Sequence, residues 1–290
     1  MARKLMDLRD RGYLVTLISK IPKSRKLDPK AAKAVDEKLG SKRAGNFNKI
    51  LLTAEFMAPA TKHLAEFRKE HAHMTIPYMK PWAILNVDLT AEYVAKRETA
   101  QDAFYKGVDQ IYPDLGNEIE KARIRLGPEM FNEMDFPTKE NFKKMFVFTH
   151  DSRAIESAND LRAHLAEDEI VAVENNIHRR YRKAVDSVYV RVEDAVGRLA
   201  VSLAKYDKDP TTGKVSQGFH KTAVQDLRNL VAILPSLNLM DDSKLDDLAK
   251  RIDAELTRYE VPELKENDTV RENVLNSAEN ILNVVEGYRG

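Results

Sequence analysis

The chain has 290 residues, is 43% hydrophobic and 32% charged, contains no cysteine and carries a net charge of +1. That much apolar material builds the core of one large or two ordinary domains and excludes wholesale disorder. Without cysteine, disulfides, thiolate nucleophiles and Cys-ligated zinc or iron–sulfur sites are excluded as well.

The N-terminal stretch MARKLMDLRDRGYLVTLISK scatters its charges. Its apolar run, Tyr13 to Ile18, is too short for a signal h-region or a membrane span, and no other stretch comes close to a span. The expectation is a cytoplasmic protein that makes no membrane contact. The same run is β-branched and aromatic, which predicts one strand over 13–18. Asp28 and Pro29 then open a helix, with Asp as N-cap and Pro in the first turn, and Gly40 ends it after Leu39. SKRAGNFNK reads as a loop because Gly45, Asn46 and Asn48 favour turns. A second helix is expected from about Thr53 to His71. Residues 74–88 hold Pro77, Pro81 and Trp82 and show no helical period. Thr90 opens a third helix past Phe104, Val108 and Ile111, where Pro113 interrupts it. A further helical segment reaches Leu126 and is stopped by Gly127 and Pro128. Thr138 is placed as an N-cap of a short helix, and Met145 to Thr149 as a strand able to pair with 13–18 in a small sheet.

From about residue 167 the pattern changes. Ile177, Tyr181, Val185, Val188, Val192, Val196, Leu199 and Leu203 step by three or four, and Ile177, Val188 and Leu199 are eleven apart. An eleven-residue period keeps one apolar stripe on a nearly straight helix, so one helix longer than 30 residues is expected around 177–203. A polar loop follows over 207–218. Three shorter helices are expected near 220–234, 242–259 and 268–286, with Asp241 or Asp242 and Asp268 as N-caps. The predicted fold class is mainly α: a long central helix with a C-terminal helical bundle over 151–290, and a small basic N-terminal α+β part over 1–150 with at most a minor sheet.

No GxxxxGK[ST], GxGxxG or GxSxG marks out a phosphate cradle or a hydrolase elbow. There is no HExxH. His63 and His71 share roughly one helix face, with His73, Glu66 and Glu70 nearby, but that spacing alone does not converge on a metal. Asp241–Asp242 and Asp246–Asp247 read as caps and solvated positions of an amphipathic helix. No catalytic residue, metal or cofactor is implied, and the chain is read as a non-enzyme.

Charge is distributed unevenly. Residues 1–50 carry fourteen Lys/Arg against five Asp/Glu, and residues 241–290 seven against thirteen, so the two ends bear +9 and −6. The bland reading is solvated faces of uneven sign. The sharper one is a basic patch that meets a polyanion, with an acidic region for intra- or intermolecular contact. Within the basic set, Lys23, Arg25, Lys26, Lys42, Arg43 and Lys49 are candidate phosphate contacts. Asn46 and Asn48 can donate to phosphate oxygens, and Phe47 between them can stack on a base. Cations that track a backbone, with an aromatic to stack on, are what single-strand binders use.

Five stretches carry a resemblance: RKLDPKAAKAV, FNKILL, IPYMKPW, YPDLGNEIEKARIRLGPEMFNEMDFPT with NFKKMFVF, and NLVAILPSLNLMDD. The run Leu126 to Pro137 and the LPSLNL segment are the most specific. In order and spacing the chain resembles, end to end, an uncharacterised family of helical proteins from tailed phages and integrative elements. It departs from that pattern at Tyr78 to Pro81, where relatives more often show Thr-Leu-Pro-Trp. The resemblance implies a mobile-element origin near recombination genes or a MoxR-type AAA ATPase, and no catalytic residue. The expected function is a phage accessory protein that binds single-stranded nucleic acid in recombination or replication. The alternative is a helical interaction module, either an ATPase adaptor or an inhibitor of a host defence complex. Either a host or a phage protein is then a partner, and the uneven charge leaves room for a homo-oligomer.

Overall fold

The computed structural model describes residues 8–157, 166–208, 215–217 and 221–289. Its elements in chain order are β1 (Gly12–Lys20), β2 (Arg25–Leu27), α1 (Pro29–Leu39), β3 (Asn48–Ile50), α2 (Ala54–Met74), β4 (Thr75–Met79), β5 (Trp82–Asn86), α3 (Thr90–Ile111), α4 (Leu115–Met130), α5 (Lys139–Phe142), β6 (Val147–Arg153), α6 (Glu167–Ala204), β7 (Asp207–Lys208), β8 (Val215–Gln217), α7 (Lys221–Leu237), α8 (Ser243–Ile252), α9 (Val261–Glu266) and α10 (Asp268–Arg289). The fold is mainly α, with a four-stranded sheet in the order β4-β5-β1-β6 and two two-stranded ribbons, β2-β3 and β7-β8.

The chain forms two compact units. One comprises residues 1–16, 72–91 and 152–290, and the other residues 17–71 and 92–151. The last crossing between them falls between Asp151 and Ser152. The two earlier insertions, 1–16 and 72–91, belong with the C-terminal part.

In the larger unit β1 pairs antiparallel with β5, Gly12 opposite Asn86 and Val15 opposite Ala83. Strand β4 pairs with β5, Ile76 opposite Ile84. The sequence around 74–88 showed only the absence of a helix, and it folds as this hairpin. Pro77 hides the strand from a pattern search, yet it fits because β4 is an edge strand, where a missing N–H costs no ladder bond. The long helix is there: α6 runs 38 residues and buries thirteen of them, among them Ile177, Tyr181, Val188, Val192, Val196, Leu199 and Leu203. Val185 of the expected stripe is half-buried. Three acids, Glu167, Asp168 and Glu169, suit the positive end of the helix, and Glu169 accepts from the Ala166 N–H at 3.1 Å. Helix α6 packs against β4, α7 and α10. Arg191 donates to the carbonyls of His73 at 3.3 Å and Thr75 at 2.5 Å, which ties α6 to the start of β4.

The LPSLNL segment ends α7. Leu234, Leu237 and Leu239 are buried. Asn238 donates to the Asp242 carbonyl at 2.9 Å and the Asp246 carboxylate at 2.8 Å, and accepts from the Asp242 N–H at 2.8 Å. Asp242 caps α8 through the Lys244 N–H, as expected. At α10 the capping side chain is Asn267, which accepts from the Val270 N–H at 3.1 Å, and Asp268 is already helical. The polar loop expected over 207–218 contains β7 and β8, paired antiparallel; its residues 209–214 and 218 lie outside the described residues.

The smaller unit is held by aromatic rings. Phe67 lies 5.5 Å from Tyr93 and 5.6 Å from Phe148, while Phe104 and Phe142 meet Phe146 at 6.0 and 5.0 Å. Helices α2 and α3 cross so closely that a Cβ on Gly107 would lie 2.1 Å from the Pro59 carbonyl oxygen. Gly127 takes φ 67° and breaks the direction of α4 where the sequence places a stop.

Candidate nucleic-acid interface

The basic segment is built as a ribbon with a helix between its strands. Strands β2 and β3 pair antiparallel, Arg25 opposite Ile50, Lys26 opposite Lys49 and Leu27 opposite Asn48. Asp28 closes this ribbon and starts α1. Its N–H donates to the Phe47 carbonyl at 2.8 Å, and its carboxylate accepts from the Ala31 N–H at 3.0 Å. Pro29 occupies the first turn and Gly40, at φ 65°, the left-handed C-terminal position. The loop after α1 is folded back by Asp36, which accepts from Ser41 Oγ at 2.8 Å and from the N–H groups of Arg43 and Ala44 at 2.8 and 3.2 Å. These donors, Ser41 foremost, hold the Asp36 carboxyl below the usual carboxylate range.

The nine residues read from sequence do not share one fate. Lys49 is buried, at 7% exposure. Its ammonium lies 2.7 Å from Asp135, 3.5 Å from Asp28 and 2.7 Å from the Met130 carbonyl oxygen. It is an internal cation and is withdrawn as a phosphate contact, because a buried ammonium with two carboxylate partners has no face left for solvent-borne anions. Lys26 is half-exposed, but its ammonium is bonded to the other Asp135 oxygen at 2.5 Å. The two lysines, Lys26 foremost, keep the Asp135 carboxyl well below the usual range. Lys23, Arg25, Lys42, Arg43, Asn46, Phe47 and Asn48 are exposed, Phe47 at 36%. Lys23 and Arg25 precede α1, and Lys42 and Arg43 follow it. Eleven residues of helix span about 16 Å at ~1.5 Å per residue, and the loop after it brings Arg43 back beside Asp36.

Asp135 was not visible as part of this site, because it lies far along the chain from Lys49. A signal did exist in the Leu126 to Pro137 run. That run holds Asn132, which accepts from the Met134 N–H at 3.0 Å. It also holds Phe131 stacked on Phe136 at 5.3 Å, with Arg123 over Phe131. The run is therefore a scaffold that presents Asp135 and the Met130 carbonyl to Lys49. A second feature was not expected from sequence. Helix α1 buries none of its residues, and Leu27, Val35, Leu39 and Ile50 stand 48%, 46%, 70% and 38% exposed.

The histidines of α2 go to separate partners: His63 lies 3.3 Å from Glu66, and His71 Nδ1 lies 2.8 Å from the Tyr93 hydroxyl. No cluster of three or more metal-ligating side chains exists among the described residues. Among the same residues no helix is long and apolar enough to cross a membrane. The chain matches no protein-family model, no curated protein and no solved structure.

Proposed function

We propose that this chain is a non-enzymatic accessory protein that binds single-stranded nucleic acid, acting in the recombination or replication of a phage or integrative element in the host cytoplasm. The observation that carries the reading is the division of labour in the basic segment. Lys26 and Lys49 lock the ribbon onto Asp135, while Lys23, Arg25, Lys42 and Arg43 stay exposed around an exposed Phe47. A rigid ribbon that holds one cation pair before α1 and a second in the loop after it, with an exposed ring between loop and strand, suits a flexible phosphate backbone whose bases are free to stack. The mobile-element setting rests on the resemblance carried by the Leu126 to Pro137 and LPSLNL segments.

The test is binding of short single strands as a function of salt. Four exposed cations, at roughly −0.7 per phosphate contact, give a log–log slope of about −2.8. Lys42→Ala with Arg43→Ala should flatten it by about 1.4. Phe47→Ala should weaken binding by ~1–3 kcal/mol and leave the slope unchanged, since stacking releases no counterion. Absence of binding to single strands at low salt would remove this reading. The reading as a helical interaction module, for an ATPase or a host defence complex, would then replace it. Its support is the exposed apolar face of α1.

A further inference from the structure

The basic segment holds carboxylates that a phosphate backbone should repel. Between Lys30 and Lys49 there are two, Asp36 and Glu37, both on α1. Glu37 pairs with Lys33 at 3.6 Å, and both side chains stay largely exposed. Asp36 is met instead by neutral donors of the loop that follows. Ser41 Oγ donates to it at 2.8 Å, the Arg43 N–H at 2.8 Å and the Ala44 N–H at 3.2 Å. Its backbone carbonyl accepts as well, from the Ser41 N–H at 2.9 Å. One residue thus fixes the chain from Ser41 to Ala44 through both main chain and side chain. The same donors keep its carboxyl ionised.

The turn held in this way is one that its own residues disfavour. Arg43 stands at φ 54°, in the left-handed region. A residue with a Cβ stays there only where its surroundings over-determine the backbone, and the Arg43 N–H is one of the groups that Asp36 holds. Lys42 and Arg43 are carried on this turn and are exposed.

We infer that Asp36 is a positioning residue of the strand site: it sets Lys42 and Arg43 in place before a strand arrives, and the loop absorbs its charge. The inference rests on the reading of this segment as a single-strand binder. On a loose loop two long side chains and their backbone must be ordered when phosphate binds, and that ordering weakens association. On a loop already folded, most of the ordering is complete beforehand. The consequence is opposite in sign to simple electrostatics. A carboxylate within a Debye length of the phosphates repels them, so removing one that does nothing else strengthens binding. Removing one that positions two cations weakens it.

The experiment is a fluorescence titration of a labelled oligothymidylate with the full chain at fixed low salt. Asp36→Asn should bind about tenfold more weakly than the parent. Ser41→Ala removes one donor and no charge, and should bind roughly threefold more weakly. Glu37→Gln makes the same change of charge one residue along, and should bind as well as the parent or better. With Lys42→Ala and Arg43→Ala already in place, Asp36→Asn should cause no further loss, because the groups it positions are gone. In the free chain the heteronuclear NOE of Arg43 and Ala44 should drop in Asp36→Asn. Helix α1 buries none of its residues, and matching thermal melts would show that the variants fold. Binding by Asp36→Asn as tight as the parent's, or tighter, overturns the inference while the strand-binding reading stands. So does a further loss in the Lys42→Ala, Arg43→Ala background, which would place the effect of Asp36 outside the loop. A parent that binds no single strand overturns the strand-binding reading and this inference with it, and the parent alone tells that case apart.

Discussion

Helices α6 and α1 are both amphipathic, yet one buries thirteen residues and the other none. The apolar stripe of α6 meets β4, α7 and α10 within its own unit. The stripe of α1 stands on a ribbon clamped from below by Lys26, Lys49 and Asp135, and its Val35 and Leu39 face outward. An amphipathic pattern states that a face is suited to cover; whether cover exists depends on chain elsewhere. The comparison breaks most sharply on one substitution made twice. Val192 is 0% exposed, so Val192→Asp buries a carboxylate with no partner. That costs several kcal/mol, a large part of the ~5–15 kcal/mol that holds a domain together. Val35→Asp, at a position 46% exposed, should stay within about 0.5 kcal/mol of the parent. Thermal melts of the two variants check this, and equal melting temperatures would show that the two stripes are covered alike.

The same contrast explains what could be read in the sequence and what could not. The α6 stripe was legible because two successive eleven-residue steps, Ile177 to Val188 to Leu199, leave little room for another periodicity. The ends of α1 were legible because Asp28, Pro29 and Gly40 act through local backbone geometry alone. Strand β1 showed through its β-branched run. The β4-β5 hairpin did not, because Pro77 breaks the pattern that strand searches rely on. The C-terminal cap was misplaced by one residue, as Asn267 and Asp268 are equally good caps in isolation and only the backbone decides between them. In the basic segment the density of cations was legible and their separate duties were not. Lys42 and Lys49 look alike in sequence. What divides them is Asp135, brought to Lys49 by the turn that follows α4, and a contact of that range leaves no periodic trace.

Those two lysines give the next largest effect. Lys49→Met removes one of two cations from a buried carboxylate and leaves Asp28 without its ammonium. Breaking a buried ion pair costs ~3–5 kcal/mol. The lower end, about 3 kcal/mol, applies here because Lys26 still holds Asp135. Lys42→Met, at an exposed position, should change stability by no more than about 0.5 kcal/mol. Urea unfolding of both variants separates them. A stable Lys49→Met protein would return Lys49 to the list of residues free to contact phosphate.

The smallest effect is a pH dependence, and it comes from two partly buried histidines. Burial pushes the His71 imidazole below its ordinary value, and it sits 2.8 Å from the Tyr93 hydroxyl. Burial and then the Arg97 guanidinium push His150 down, against the opposing pull of Asp151 and Glu98. Arg97 is itself buried and donates to His150 Nε2 at 2.6 Å, so that ring accepts and is neutral. A depressed histidine binds its proton less readily folded than unfolded. Its contribution to stability is therefore complete above the unfolded value of 6.5 and is lost as pH falls below it towards the folded value. The carboxylates work in a separate window: Asp28 and Asp135 are held below 3.8 in the folded chain, and what they contribute is lost only as pH drops through that range. The melting temperature should thus fall in two steps, a shallow one starting near pH 6.5 and a steeper one below about pH 4. In His150→Gln, where a neutral amide oxygen still accepts from Arg97, the first step should shrink while the second stays. A first step that is absent in the parent, or unchanged in His150→Gln, would show that the ring carries its proton without cost and that Arg97 is satisfied elsewhere.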